Sequence, residues 1–162
     1  MSIELSAPRS EFGAYKRPHT GEWLYEFTLT SAPGHTEVVA LTVLSTDASW
    51  VNDHFGVMPG VLCIEIAAQL MLCSAATCFK VGELNNLTPR LAGCDSFKLK
   101  QSVCPGDLLK VTLTGLRKIM GFWIADATID LRLLNTNSSS WCRVAEIKGL
   151  KGGLFKPKEH DY

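Results

Sequence analysis

Short runs in which apolar and polar residues alternate flank one long block that is apolar on every side. Glu22–Thr30 (EWLYEFTLT) sets Trp23, Tyr25, Phe27 and Leu29 on one face, the period of a half-buried strand. Pro33-Gly34 marks a turn, and His35–Ser45 (HTEVVALTVLS) reads as the second strand of a hairpin. Thr46–Asp53 suits a loop, with Asn52 and Asp53 as turn formers. From Pro59 the pattern changes. Val61, Leu62, Ile64, Ala67, Ala68, Leu70, Met71, Leu72, Ala75 and Ala76 follow with no further Pro, and no Gly after Gly60 until Gly82. Pro near a helix start is tolerated because its missing N–H has no intrahelical partner there. The Ala, Leu and Met content favours helix. The block predicts a helix about 30 Å long, and with no polar face it must be surrounded.

Beyond the helix the alternation returns. Val81–Pro89 is loop-like, and Arg90–Val103 reads as one extended strand in which Phe97, Leu99 and Gln101 alternate with Lys98 and Lys100. Pro105-Gly106-Asp107 is a turn. Leu108–Arg117 and Phe122–Leu134 are long strands joined around Lys118–Gly121; Asn135–Ser140 turns the chain into a last strand, Trp141–Gly149. Residues 1–20 have no clear period and form an irregular N-terminal arm; residues 21–162 form a single domain ending in a solvated tail from Lys151. Two strands, one buried helix and four strands make an α+β protein. A flat sheet covers only one side of such a helix, so the sheet curls around it or a second copy caps the remainder.

Composition narrows this little. Hydrophobic residues make up 46% and charged residues 20% of 162 positions, ordinary for a globular protein. Sixteen basic and sixteen acidic side chains cancel, so there is no electrostatic footprint for nucleic acid. Glu65 and Gln69 inside the apolar block, with Pro-Gly at its entry, argue against a membrane span. No charged, then apolar segment of secretory type opens the chain, and reduced thiols fit the cytoplasm. The six cysteines contain no C-x-x-C pair and no accompanying His cluster, so neither a metal nor a cofactor is expected. Cys63, Cys73 and Cys78 lie in the helix and read as small hydrophobes.

The chemistry is concentrated at the helix. Glu65 and Gln69 stand four apart, on one face. An unpaired buried carboxylate costs several kcal/mol, so Glu65 has either an ion-pair partner or a catalytic role. Just upstream is His54, whose type of side chain titrates near neutrality and suits general base work. Asp53 would point away from His54 in an extended segment and is not counted as its orienting carboxylate.

His54-Phe55, then Val57-Met58-Pro59-Gly60-Val61, Glu65 and Ala68-Gln69 resemble the motif of hot-dog fold 3-hydroxyacyl-[acyl carrier protein] dehydratases. Val103-Cys104-Pro105-Gly106-Asp107-Leu108 and Val144-Ala145-Glu146 match two further motifs of that family, in the same order. One departure stands out: only Gly56 separates His-Phe from V-M-P-G, where the family usually carries a longer connection. The resemblance implies a hot-dog fold, an antiparallel sheet wrapped around one central helix, and dehydration of a 3-hydroxyacyl thioester in fatty-acid, polyketide or related lipid synthesis. It makes His54 the base at C2 and Glu65, buried and so kept protonated, the acid toward the leaving hydroxyl. Gly60 and Val61 amides would hold the carbonyl oxygen, with Phe55, Val57 and Met58 lining the site, a Val57 carbonyl orienting the imidazole and Gln69 supporting Glu65. The implied partners are an acyl carrier protein bearing a phosphopantetheine-linked substrate, or an acyl-CoA, and a second copy in a homodimer or an assembly of dimers. A hot-dog thioesterase and a non-catalytic acyl-binding partner of an active homologue are the alternatives.

Overall fold

The computed structural model describes residues 5–6, 27–30, 37–48, 50–76, 87–132 and 140–156. In chain order these give β1 (Leu5–Ser6), β2 (Thr28–Leu29), β3 (Glu37–Val43), α1 (Trp50–Asp53), α2 (Val61–Ala76), β4 (Thr88–Gly93), β5 (Ser96–Leu99), β6 (Leu108–Ile119), β7 (Phe122–Arg132) and β8 (Trp141–Phe155). All these strands join one antiparallel sheet in the order β1-β2-β3-β6-β7-β8-β4, with β5 on the same edge of β8 as β4. Alternation decides which side chains turn inward. Val38 and Ala40 of β3, Leu109, Val111 and Leu113 of β6, Ala125, Ala127 and Ile129 of β7, and Ile147 and Leu150 of β8 are all buried. Against them packs α2 through Leu62, Cys63, Ile66, Ala67, Leu70, Met71 and Ala75. Burying each Leu, Ile or Met contributes roughly 1.5–3 kcal/mol, which makes the seam between α2 and the sheet the main source of stability. This is the α+β, hot-dog arrangement of one sheet against one central helix.

In the single chain the described sheet buries one face of the helix, and Val61, exposed, with Ile64, Glu65, Gln69, Leu72, Cys73 and Ala76, half-buried, forms a stripe with i, i+3, i+4 spacing, the remainder that a second copy was expected to cap. The sequence expectations need correction in the strands and loops. The expected loop over Thr46–Asp53 contains the helical turn α1, because buried Trp50 anchors it to the core. The single strand expected over Arg90–Val103 is two, β4 and β5. The ladder to β8 bulges between Leu91 and Gly93, and the Asp95 N–H then takes the Lys148 carbonyl at 2.9 Å. Among the described residues five strands therefore follow α2, not four. The last strand does not stop at Gly149 but runs through Phe155, since partners on β4 and β7 still flank Lys151 and Gly152. Leu5–Ser6 pair with β2 inside the expected irregular arm. Glu22–Glu26, Pro33-Gly34, residues 77–86, residues 133–139 and the tail from residue 157 lie outside the described residues.

The β6–β7 turn is tighter than expected, reduced to Met120-Gly121 between Ile119 and Phe122. Both residues have positive φ, 50° and 86°, as a type I′ turn requires. Met120 is 94% exposed, so its side chain loses nothing on replacement, while its left-handed backbone carries strain that Asn bears more easily. Met120→Asn should stabilise the protein by about 1 kcal/mol, raising the unfolding midpoint by ~2–4 °C in a circular-dichroism melt.

Candidate active site

Two backbone motifs set the entry to α2. After α1, the His54 N–H donates to the Trp50 carbonyl at 2.9 Å and the Gly56 N–H to the Val51 carbonyl at 2.7 Å. That second bond folds the chain back, and it needs positive φ at Phe55 (54°) and Gly56 (72°). Gly takes such a φ freely; Phe does not. The turn absorbs the short connection that the sequence shows between His54 and Val57. Beyond it, the Met58 N–H donates to the Val103 carbonyl at 2.9 Å, fastening buried Met58 to the chain just before Pro105-Gly106-Asp107. Asp107 closes that turn: its carboxylate accepts the Cys104 N–H at 2.8 Å, while its carbonyl accepts the Leu44 N–H at 3.1 Å.

The helix opens with Leu62 and Cys63 N–H bonding back to Pro59 and Gly60 carbonyls at 2.9 and 3.0 Å. The amides of Gly60 and Val61 meet no acceptor among the described residues and lie at the positive end of the α2 dipole. One turn on from Val61 stands Glu65. Gln69 Nε2 donates to Glu65 Oε1 at 2.7 Å, so the amide expected to support the carboxyl does touch it directly.

The expected residues divide accordingly. Val61, Glu65 and Gln69 lie on the partly exposed stripe of α2, with Gly60 immediately before its first residue. Glu65 is half-buried, not fully buried. His54 is exposed, and no hydrogen bond or ion pair joins it to Glu65 among the described residues. Its contact with Val57 is between backbones, the Val57 N–H donating to the His54 carbonyl at 3.0 Å. Phe55 is 97% exposed beside it. Cys63 is fully buried and burial pushes its thiol up to about 12, which keeps it a protonated packing group. No group of three or more potential metal ligands exists among the described residues, and no described helix is long and apolar enough to cross a membrane.

Sequence reasoning missed two contributors. Trp50 anchors the turn carrying His54, yet its burial left no periodic signal in so short an element. Leu99 of β5 lies against Gly60, where a Cβ would come within 2.9 Å of its Cδ2. The alternation of Phe97 and Leu99 with lysines did mark an apolar face, but not what it would meet.

Comparison with known proteins bears on the family and the fold. Residues 24–133 match the model of the FabA-like domain. The 3-hydroxyacyl-[acyl-carrier-protein] dehydratase FabZ of Clostridium perfringens is 36% identical over 100 residues, spanning 59% of this chain and 70% of the relative. Among solved structures, the dehydratase heterocomplex ApeI:P from Xenorhabdus doucetiae superposes with a TM-score of 0.58 at 14% identity, covering 88% of this chain and 89% of that one. A hypothetical thioesterase from Streptococcus pneumoniae, with coenzyme A, superposes with a TM-score of 0.53 at 9% identity, covering 91% and 93%. The two structural likenesses speak for the fold alone.

Proposed function

Because the chain belongs to the FabA-like family and is an enzyme of the 3-hydroxyacyl-[acyl-carrier-protein] dehydratase type, a lyase of fatty-acid synthesis, we propose that it removes water from its substrate between His54 and Glu65. The imidazole takes the proton from C2. The pair of electrons released forms the C2–C3 double bond, and the C3 hydroxyl departs as water with a proton from Glu65. Negative charge developing on the thioester oxygen is held by the amides of Gly60 and Val61. The product is the trans-2-enoyl thioester. One observation carries the assignment: Glu65, braced by Gln69, stands one helical turn beyond the Val61 amide at the start of α2, on its half-buried stripe.

His54 and Glu65 do not meet within one chain, so the proposed site includes a homodimer in which His54 faces Glu65 of the partner subunit. The half-buried apolar stripe on α2, with Val61 exposed, supports it, as does β4, which among the described strands pairs with β8 alone. The substrate would arrive on the phosphopantetheine arm of an acyl carrier protein, in the cytoplasm, with Phe55, Val57 and Met58 beside the reacting group.

The purified chain should therefore elute with the light-scattering mass of two chains and convert a 3-hydroxyacyl pantetheine thioester to the enoyl product. Release of free thiol instead would move the thioesterase ahead, with Glu65 activating water. Neither reaction would leave an acyl-binding partner of an active homologue. A monomer at micromolar concentration would remove the site as drawn.

A further inference from the structure

We propose that Leu99 is a positioning residue for catalysis, a wedge from β5 that fixes the peptide turn presenting the Gly60 and Val61 amides. The inference rests on the dehydratase reading of those amides.

Gly60 looks at first like a glycine kept so that a ligand can approach the backbone. The space beside its Cα is already occupied. A Cβ there would stand 2.9 Å from Leu99 Cδ2 and 3.7 Å from Phe97 Cε1, closer to Leu99 than real side chains pack. Gly60 also lacks the positive φ that would itself demand glycine. Glycine at this position is therefore explained by the approach of Leu99.

Leu99 is well braced for that role. β5 is paired to β8 from Ser96 through Leu99, and the next residue, Lys100, continues the hold through its N–H to the Val144 carbonyl at 2.7 Å. Val144 belongs to the buried core. On its other side the Pro59–Val61 turn is held by the Met58 N–H bond to Val103 at 2.9 Å. Leu99 and Met58 thus hold the turn from two directions, and both belong to the stretch between β5 and the Pro105-Gly106-Asp107 turn or bond to it. Leu99 is itself 46% exposed, so burial alone is a weak reason for its place. Hydrogen-bond donors to a developing oxyanion act only if they are held before the reaction, and a displacement near 1 Å costs up to about a hundredfold.

Four enzymes test this: wild type, Leu99→Ala, Leu99→Met and the double variant Gly60→Ala/Leu99→Ala. Two readouts are needed, turnover of a 3-hydroxyacyl thioester and inhibition by its thioether analogue, which has no carbonyl oxygen for the amides to hold. Leu99→Ala should lower kcat about tenfold, with KM and the thioether inhibition constant within about twofold of wild type. Leu99→Met, which refills the space, should recover to within about threefold. In the double variant the methyl introduced by Gly60→Ala enters the space that Leu99 vacates, so kcat should exceed that of Leu99→Ala. A parallel loss in turnover and thioether binding would make Leu99 a wall of the substrate site and overturn the inference, as would unchanged kcat. A wild-type chain that dehydrates nothing would instead overturn the dehydratase reading, and this inference with it.

Discussion

Glu65→Gln is expected to lower dehydratase turnover by a factor on the order of 10²–10⁴ while leaving the protein folded. The hydrogen bond from Gln69 Nε2 to Glu65 Oε1, 2.7 Å long, explains why folding should survive. A glutamine at this position can turn its own carbonyl toward Gln69 and keep that bond. What it cannot do is hand a proton to a departing hydroxyl. The alternative raised by the sequence, a structural ion-pair partner, predicts the opposite outcome: a lower unfolding temperature with activity spared. Measuring kcat and the thermal midpoint on the same preparation separates the two. Wild-type turnover in the variant would rule out the acid role.

The sequence was most legible where side-chain identity alone reports environment. The apolar block from Val61 to Ala76 and the alternating β6 and β7 could be read directly, because period and burial are two views of one fact. Glu65 stood out because a carboxylate amid Leu, Ile and Ala is costly. Its half-burial was not legible: the residues that leave a helix face uncovered are the same residues that would line a covered one, so composition cannot tell a core from an interface. Backbone geometry was legible only at its glycines. Nothing in the identities of Met58 and Val103 marks the 2.9 Å bond between them, and nothing in Phe55 marks its positive φ. The split of β4 from β5 did carry a signal, since Gly93 and Asp95 are residues that strands disfavour, but the alternation of Phe97 and Leu99 with lysines beyond them outweighed it.

His54→Ala should remove the base and cost about as much as the loss of Glu65, on the order of 10²–10⁴ in kcat/KM. The more searching variant is at Gly56. Its φ of 72° belongs to the left-handed region, and a Cβ there would meet nothing within 4 Å, so any penalty comes from the backbone and not from crowding. A β-branched residue bears that φ worst, and the strain of roughly 1–2 kcal/mol would be relieved by opening the turn. Opening it breaks the Gly56 N–H bond to Val51 and frees the Val57 N–H from the His54 carbonyl, leaving His54 held only by its N–H bond to Trp50 among these turn bonds. Gly56→Val should therefore impair turnover nearly as badly as His54→Ala, with the helix content unchanged because α2 starts only at Val61. Gly56→Asn, whose side chain tolerates positive φ, is the control and should stay within about tenfold of wild type. If Gly56→Val and Gly56→Asn lose activity equally, the turn serves some purpose other than carrying His54. If His54→Ala keeps full activity, the base lies elsewhere, and Glu65 acting on water alone becomes the better account of this site.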